Sequence, residues 1–207
     1  ENITVVCSVK DNLKIYKGHI PKDSISFNNN EKIKFYKTIK SIDKLLFFTS
    51  DGKLYTLNPL VFPGGKSNGR NFSFFVNINN ISKIIGIHIY KEKFQCLLAS
   101  KNSKGFIYEL DKVPKIQKNG RQIFKLKKGD ILFYSSTHLK DMMSVVSSAG
   151  KLLIFNINEI PVLKKSGGVL LQKIKDGYLS DVQCMNKTDG LKWKIGQQLK
   201  NELNLNF

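Results

Sequence analysis

The sequence predicts an all-β fold of propeller-like, four-stranded blades, and three repeated observations support this prediction. A short apolar run, a turn residue and a second strand-like run follow one another four times in 207 residues. The turn anchors Asn12, Gly52, Gly105 and Gly150 are 40, 53 and 45 residues apart. A proline and then a glycine follow the hairpin in three of the four units. A period of this size, with about four strands per unit, is typical of a blade-built radial β architecture.

Each anchor lies between two runs with strand character. In the clearest case, Asp51-Gly52 separates the apolar residues 45–48 from the alternating residues 53–57. Asp-Gly between two such runs predicts a hairpin with a type I′ turn, whose central residues both need φ > 0. Asn12 would serve the same purpose because Asn tolerates positive φ next best. The other hairpins have first runs at 5–7, 96–99 and 145–146, and second runs at 13–16, 106–110 and 152–155.

The segments after the hairpins also repeat. The prolines are Pro63, Pro114 and Pro161, and the glycines six residues later are Gly69, Gly120 and Gly167. Further strands are predicted at 72–78, 123–126 and 169–174, and residues 33–39 supply one in the first unit. This recurrence favours repeat units over the alternative, an ordinary antiparallel sandwich. We predict one domain over 1–207, with units at about 1–43, 44–92, 93–141 and 142–184.

The tail at 185–207 contains Trp193, the only tryptophan. It could complete a shortened fifth unit or supply a closing strand. A brief helix is predicted at 197–205. Because the chain begins at Glu1 and strand-like residues follow at once, we expect it to be part of a longer protein.

The charge balance indicates a polyanionic partner. The chain has 34 Lys+Arg against 16 Asp+Glu and a net charge of +18. The positive electrostatic field of such a charge makes nucleic acid the first candidate ligand. With 41% hydrophobic residues the chain can bury the core of one large β domain. No apolar run reaches the length of a bilayer and no signal peptide opens the chain, so no membrane partner is predicted.

We find no catalytic, metal or cofactor constellation. The cysteines are odd in number, far apart and mostly in apolar runs, which favours reduced thiols in a cytoplasmic protein. No CxxC pair is present, and no histidine stands at a triad or metal spacing. PGGKS at 63–67 invites a phosphate-loop interpretation, but Leu60 stands where that motif needs its first glycine. The residues concerned are Cys7, Cys96, Cys184, His19, His88 and His138.

Cations recur at equivalent places in the units, either in the loop after the proline or beside the hairpin turn. In a radial arrangement they would form a curved band that binds DNA phosphates with little base readout. Such a band would favour DNA that bends around it. The alternative is a generally solvated lysine surface. The aromatic residues fall mostly in strands, so we expect them to pack in blades and not to stack on bases. The candidate DNA-binding residues are Lys66, Arg70, Lys118, Arg121, Lys164 and Lys165 in the loops, and Lys53, Lys104 and Lys151 beside the turns.

These motifs together resemble the C-terminal domain of the A subunit of bacterial type IIA topoisomerases. The repeat of that family has a hairpin with Gly-Lys/Arg-hydrophobic-aromatic, a strand, a proline and a basic loop with glycine. Within the family, the chain is most similar to the topoisomerase IV branch of alphaproteobacteria. The matching stretches are KLLF at 44–47, GKLYTL at 52–57, PGG at 63–65, KIKDGYLSDV at 173–182 and DGLKW at 189–193.

The resemblance implies a β-pinwheel, a propeller-like disc whose blades exchange strands, with four clear repeats and a possible partial fifth. It implies a basic outer rim that binds and bends the DNA segment transported by an ATP-hydrolysing parent enzyme. The cleaving tyrosine and the sites for ATP and Mg would lie outside this chain. The implied partners are double-stranded DNA, the ATPase B subunit of topoisomerase IV and the rest of the A subunit, in the cytoplasm at the nucleoid.

Two alternatives stay open. Gyrase A subunits carry a glutamine and an Arg/Gly-rich box in the first-blade loop, where this chain has YKGHIP at 16–21, so the resemblance implies decatenation or relaxation over chiral wrapping. Lysine and serine replace the family's loop arginines, which implies point-charge contacts with phosphates. A WD-type protein-interaction scaffold is the alternative of another class, and it is disfavoured because no unit ends in Trp-Asp.

Overall fold

The computed structural model describes residues 1–195 and 198–202, which are almost entirely β-strand and connecting loops. The described strands are β1 Asn2–Ser8, β2 Asn12–Lys17, β3 Ile33–Lys40, β4 Leu45–Thr49, β5 Lys53–Leu57, β6 Arg70–Asn71, β7 Ile84–Ile89, β8 Phe94–Ser100, β9 Lys104–Leu110, β10 Arg121–Gln122, β11 Leu132–Ser136, β12 Met142–Ser147, β13 Leu152–Asn156, β14 Val162–Leu163, β15 Val169–Leu170, β16 Leu179–Met185, β17 Leu191–Ile195 and β18 Gln198–Glu202. Single turns of 3-10 helix lie at Lys22–Ser24, Asn28–Asn30, Pro59–Val61, Phe72–Phe74 and Ile157–Glu159. Among these residues no helix is both long and apolar enough to cross a membrane.

Four sheets repeat one arrangement, in which a hairpin is flanked by a later strand beside its first member. Their strand orders are β3-β1-β2-β6, β7-β4-β5-β10, β11-β8-β9-β14 with β15 also on β9, and β16-β12-β13. The four predicted hairpins are therefore confirmed, as is the strand predicted at 33–39. β17 and β18 form a further two-stranded antiparallel sheet.

The four hairpin turns share one geometry, which differs from the predicted type I′ turn. In each, a single residue with positive φ donates its N–H to the carbonyl of the residue three positions earlier, as in a hairpin with a left-handed residue at the fourth turn position. The turn type was thus predicted wrongly. The position was also wrong in two units: the left-handed residue is Asp11, not Asn12, in the first unit, and Ser103, not Gly105, in the third. The donor and acceptor pairs are Asp11 to Ser8, Gly52 to Thr49, Ser103 to Ser100 and Gly150 to Ser147.

Gly105 is needed for a different reason. It lies within β9, where an added Cβ would be 2.7 Å from Leu171 Cδ1 and 2.8 Å from the Leu98 carbonyl oxygen. A buried Ser or Thr opens all four turns, a repeated feature that the sequence analysis missed. These residues are Ser8, Thr49, Ser100 and Ser147.

The outer strand of three sheets comes from the following repeat. β6 pairs with β2, β10 pairs with β5, and β15 pairs with β9. The residue after each exchanged strand then donates its N–H to the left-handed turn residue of the hairpin it covers. These bonds are Phe72 to Asp11 at 2.9 Å, Ile123 to Gly52 at 3.0 Å and Leu171 to Ser103 at 2.8 Å. The strand exchange implied by the family resemblance is therefore present in these sheets.

The strands predicted at 72–78 and 123–126 were wrong in position, because the residues that pair are Arg70–Asn71 and Arg121–Gln122, just before them. Of the strand predicted at 169–174 only Val169–Leu170 pairs. In each case the N–H that follows the two-residue strand is already bonded to the turn. The Asn71 side chain then accepts from Ser73 N, and Phe72–Phe74 forms a 3-10 turn where a strand was predicted. The glycine before the exchanged strand has positive φ in each case, and in the fourth repeat it is Gly168 and not Gly167. These glycines are Gly69, Gly120 and Gly168.

The chain divides into two compact units, and each has its own apolar core. The first comprises Glu1–Phe94 and Leu110–Ile123, and its core includes Phe47 stacked on Phe72 with ring centroids 4.9 Å apart. The second comprises Gln95–Glu109 and Phe124–Phe207, and its core includes Leu97, Met143 and Leu179.

The predicted helix at 197–205 was wrong over 198–202, where β18 pairs with β17. Positions 197 and 203–205 lie outside the described residues. The three cysteines are free thiols, with Cys7 and Cys96 buried and Cys184 half-buried. Burial, reinforced by the negative charge of Asp11, raises the pKa of the Cys7 thiol to about 12.

Candidate nucleic-acid interface

The loop of the second repeat, residues 63–71, lies on the outer edge of β2. Ile15 N donates to the Pro63 carbonyl at 3.0 Å, and Ser67 N donates to the Gly64 carbonyl at 2.9 Å. These bonds fix both the entry and the bend of the loop. Lys66 and Arg70, the two predicted cations, are both exposed on it.

A buried cation lies beneath this loop. The Lys14 ammonium donates to the carbonyls of Ser26 at 2.7 Å, Gly65 at 3.4 Å and Ser67 at 3.3 Å. It also lies 4.5 Å from the centroid of the Phe27 ring, close enough for a cation–π interaction. Lys14 is only 2% exposed, so its charge holds loop backbone and does not face solvent.

The loop of the third repeat, residues 114–122, lies on β5 in the equivalent way. Asn77 N donates to the Lys118 carbonyl at 2.7 Å, and the Asn77 side chain donates to Asn119 Oδ1 at 2.7 Å. Lys118 and Arg121 are exposed. Arg121 pairs with Leu54 just as Arg70 pairs with Leu13, so the two arginines occupy the same place in successive sheets.

The loop of the fourth repeat, residues 161–170, departs from this pattern. Ile107 N donates to the Pro161 carbonyl at 3.0 Å, as Ile15 does to Pro63. Lys164 and Lys165 are exposed on the loop. However, Val169 occupies the ladder position that Arg70 and Arg121 hold in the earlier repeats. The basic side chains of this loop are therefore confined to its bend.

The cations beside the turns are less exposed. Lys53 and Lys104 begin β5 and β9 and are half-buried, and of the three only Lys151 is exposed. Lys53 Nζ lies 3.7 Å from Asp51 Oδ2. Its neighbour in the sheet is Gln122, and Arg121 pairs with the next residue, Leu54. Since successive side chains of a strand point to opposite faces, Lys53 and Arg121 lie on opposite faces of this edge.

Two further cations make contacts within the fold, and the sequence analysis did not find them. Lys34 forms an ion pair with the buried Asp11 at 2.9 Å and also donates to the Ile84 carbonyl. Lys101 donates to the Leu179 carbonyl at 3.2 Å and lies 4.1 Å from the Phe133 ring centroid. In both cases the ammonium meets the first residue of a flanking strand, β7 or β16. Neither position differs in local sequence from an ordinary surface lysine.

Two described aromatic residues, Phe74 and Tyr178, do not follow the packing prediction, and Tyr178 is 50% exposed. Phe74 is 64% exposed, and the Arg70 guanidinium carbon lies 4.2 Å from its ring centroid. His88, by contrast, is half-buried in β7 and contacts Phe48 edge-on at 5.6 Å between centroids. Within the described part of the chain, no three His, Cys, Asp or Glu side chains are grouped so that they could hold a metal ion.

Four repeated hairpins, three of them closed at the outer edge by the loop of the next repeat, define a propeller-type β repeat protein. The chain belongs to the family described as "DNA gyrase C-terminal domain, beta-propeller", whose model matches residues 43–70, 95–134 and 141–183. Both the family and the all-β, pinwheel-type fold class predicted from the sequence are thereby confirmed.

Two relatives carry the name of a topoisomerase subunit. The A subunit of DNA topoisomerase 4 from Rickettsia bellii (strain RML369-C) is 34% identical over 206 residues, which is 99% of this chain and 28% of that protein. The same subunit of Caulobacter vibrioides (strain ATCC 19089 / CIP 103742 / CB 15) is 29% identical over 194 residues, 93% of this chain and 25% of that protein. The chain thus spans about a quarter of the length of these relatives.

A solved structure shows the same fold. The Escherichia coli ParC C-terminal domain superimposes with a TM-score of 0.85 at 18% identity and covers 99% of this chain and 87% of its own. At this identity the match supports the fold alone.

Proposed function

We propose that this chain is the DNA-binding domain of a topoisomerase IV A subunit of the ParC type. In this proposal it binds duplex DNA through the phosphates, without sequence specificity, and bends the segment that the full enzyme transports. The observation that carries the proposal is the equivalent placement of Arg70 and Arg121 in successive sheets. Each is exposed and shares its loop with an exposed lysine, Lys66 or Lys118. Within the described residues, none of the four has a carboxylate within 4.0 Å, so their charges are available to a polyanion.

The names of the relatives support the assignment to a larger enzyme. They are topoisomerase 4 A subunits of which this chain covers about a quarter, so we place ATP-dependent decatenation or relaxation in the parent protein. The cleaving tyrosine and the ATP and Mg sites belong to other parts of that enzyme in this proposal. The partners would be double-stranded DNA, the ATPase B subunit and the rest of the A subunit, in the cytoplasm at the nucleoid.

Charge reversal of the four loop cations tests the proposal. The variant Lys66→Glu/Arg70→Glu/Lys118→Glu/Arg121→Glu should lose duplex binding, measured by fluorescence anisotropy over a series of salt concentrations. For the native protein, the logarithm of the affinity should fall with the logarithm of salt by about 0.9 for each phosphate neutralised. All four side chains are exposed, so circular dichroism should report an unchanged fold.

A matched control separates the loop sites from net charge. Lys32, Lys37, Lys40 and Lys91 are also exposed, and their reversal to Glu changes the charge by the same amount. This control should retain most of the affinity. Equal loss in both variants would refute the loop assignment, and a protein partner without DNA affinity would favour the scaffold alternative.

Ligation of a nicked plasmid in the presence of the protein distinguishes bending from wrapping. Bending without chirality should leave the linking number unchanged after deproteinisation. A positive shift that grows with protein concentration would favour the gyrase alternative.

A further inference from the structure

The fold holds Phe74 outward at a defined place on the surface. Asn71 Oδ1 accepts from Ser73 N at 3.1 Å and from Ser73 Oγ at 2.8 Å, which closes the 3-10 turn that contains the ring. On one side Phe72 is buried in the core, and on the other Phe75 packs edge-on against Phe62 at 5.1 Å between centroids. The backbone on both sides is thus fixed, while the Phe74 ring is 64% exposed.

Arg70 forms a composite surface with this ring. Its guanidinium carbon lies 4.2 Å from the ring centroid, which is within cation–π distance. Both side chains are exposed, and neither a carboxylate nor a core residue takes up the guanidinium among the described contacts. The pair therefore presents a planar cation and an aromatic ring together to solvent.

The position of Phe74 within its repeat indicates what it faces. Phe72, Ile123 and Leu171 are equivalent because each donates to the left-handed turn residue of the preceding hairpin. Two residues further on, the three repeats have Phe74, Lys125 and Lys173, all exposed. Under the proposed function, a lysine at this position would contact phosphate. A phenylalanine there has no charge to offer, but it has a π face.

We propose that Phe74 and Arg70 form a stacking platform for a DNA base that has left the helical stack. Every base has a π face, so such a platform is tolerant of sequence, and Arg adds a cation–π contribution. Proteins that bend DNA use exposed apolar side chains in a related way at unstacked base steps. The domain should therefore prefer duplex interrupted by an unstacked base over continuous duplex. This inference rests on the proposed DNA binding.

The test uses two DNA duplexes of equal length, one fully paired and one with a single extrahelical 2-aminopurine. The native protein should bind the bulged duplex roughly tenfold more tightly than the paired one, and it should quench the 2-aminopurine fluorescence. In Phe74→Leu, which keeps an apolar side chain but removes the ring, that preference should fall to about one and the quenching should disappear. Phe74→Trp should retain both.

Tyr178→Leu is the matched control. Tyr178 is 50% exposed and has the Lys101 ammonium 4.8 Å from its ring centroid, but that ammonium is already bonded to the Leu179 carbonyl. This variant should keep the preference and the quenching. The stacking proposal is overturned if Phe74→Leu behaves like the native protein on both duplexes, or if the native protein binds both equally. If the native protein binds neither duplex, the proposed DNA binding itself is wrong, and the stacking inference with it.

Discussion

Lys14 and Tyr55 occupy the same place in successive hairpins, yet they hold the loop above them by different means. Each stands three residues after the left-handed turn residue, Asp11 or Gly52, and each is buried beneath the loop of the following repeat. The Lys14 ammonium donates to three carbonyls, two of which, those of Gly65 and Ser67, belong to the second-repeat loop.

Tyr55 acts mainly by packing. Its ring lies against Gly120 of the third-repeat loop and meets Phe72 edge-on at 5.4 Å, while its hydroxyl donates to the Asn77 carbonyl at 3.1 Å. The comparison shows that side chains of different chemistry, a lysine and a tyrosine, can support the basic loop from the same position in the repeat. A buried charge is acceptable at Lys14 because carbonyls and the Phe27 ring replace its hydration.

The largest effect should come from removing the buried charge. Lys14→Ala leaves three carbonyls without their shared donor and opens space under the loop, so we expect the free energy of unfolding to fall by about 3 kcal/mol. Urea denaturation measures this loss. Hydrogen exchange at the amides of Ser67 and Gly69 should also become faster, because the loop loses its support.

Lys17→Ala is the control for this change. Lys17 lies on the same strand but is exposed, so its truncation should alter the free energy of unfolding by less than about 0.5 kcal/mol. If Lys14→Ala changed the free energy of unfolding as little as Lys17→Ala, the ammonium would not support the second-repeat loop.

A smaller effect should follow from crowding the tyrosine support. Gly120 has φ +64°, and an added Cβ would be 2.6 Å from Tyr55 Cε1, so Gly120→Ala combines backbone strain with overpacking. Gly18 has φ +72° with nothing within 4 Å of an added Cβ, so Gly18→Ala reports the strain alone. We expect the free energy of unfolding, measured by thermal or chemical denaturation, to fall by about 2 to 3 kcal/mol in Gly120→Ala and by about 1 kcal/mol in Gly18→Ala. Equal losses would show that the loop does not press on the ring.

The smallest effect should come from the tyrosine hydroxyl. Tyr55→Phe removes the bond to Asn77 and should reduce the free energy of unfolding by about 1 kcal/mol at neutral pH. Its pH dependence is more informative. Burial, with a further contribution from Asp51, raises the pKa of Tyr55 from 10.0 to about 12.

The sign of that dependence follows from the raised pKa. Between pH 10 and 12 the unfolded chain gives up the Tyr55 proton before the folded chain does, so stability is full below pH 10 and falls as pH rises. The denaturation midpoint of Tyr55→Phe should therefore decline less steeply over this range than that of the native protein. Parallel curves would mean that Tyr55 titrates alike in both states.

Local sequence predicted the hairpins well because their determinants are local. The apolar runs, the turns and the period place β2, β4 and β5 within one residue, while β1 begins three residues before the predicted run. The exchanged strands were predicted poorly because their pairing is not local. Arg70 becomes a strand residue only because it pairs with Leu13, far back in the chain. The local sequence around Arg70 does not indicate this pairing.

The candidate site was predicted in the same uneven way. The exposed cations Lys66, Arg70, Lys118 and Arg121 were found because they recur with the repeat, and their role in DNA binding stays a prediction. Lys14 was missed because a lysine in an alternating strand looks solvent-facing until the next repeat covers it. Phe74 was missed because the sequence FSFF gives three aromatic rings and no indication of which one the 3-10 turn will expose.

Strand exchange also determines the order in which the sheets can be completed during translation. The edge of β2 at Asn12 and Leu13 has no partner until Arg70 and Asn71 have left the ribosome. In the second, third and fourth repeats the hairpin therefore emerges first, and the loop strand that follows it closes the preceding hairpin. An open strand edge readily pairs with a neighbouring chain, so nascent copies on one messenger RNA are most vulnerable to entanglement just before each basic loop is synthesised.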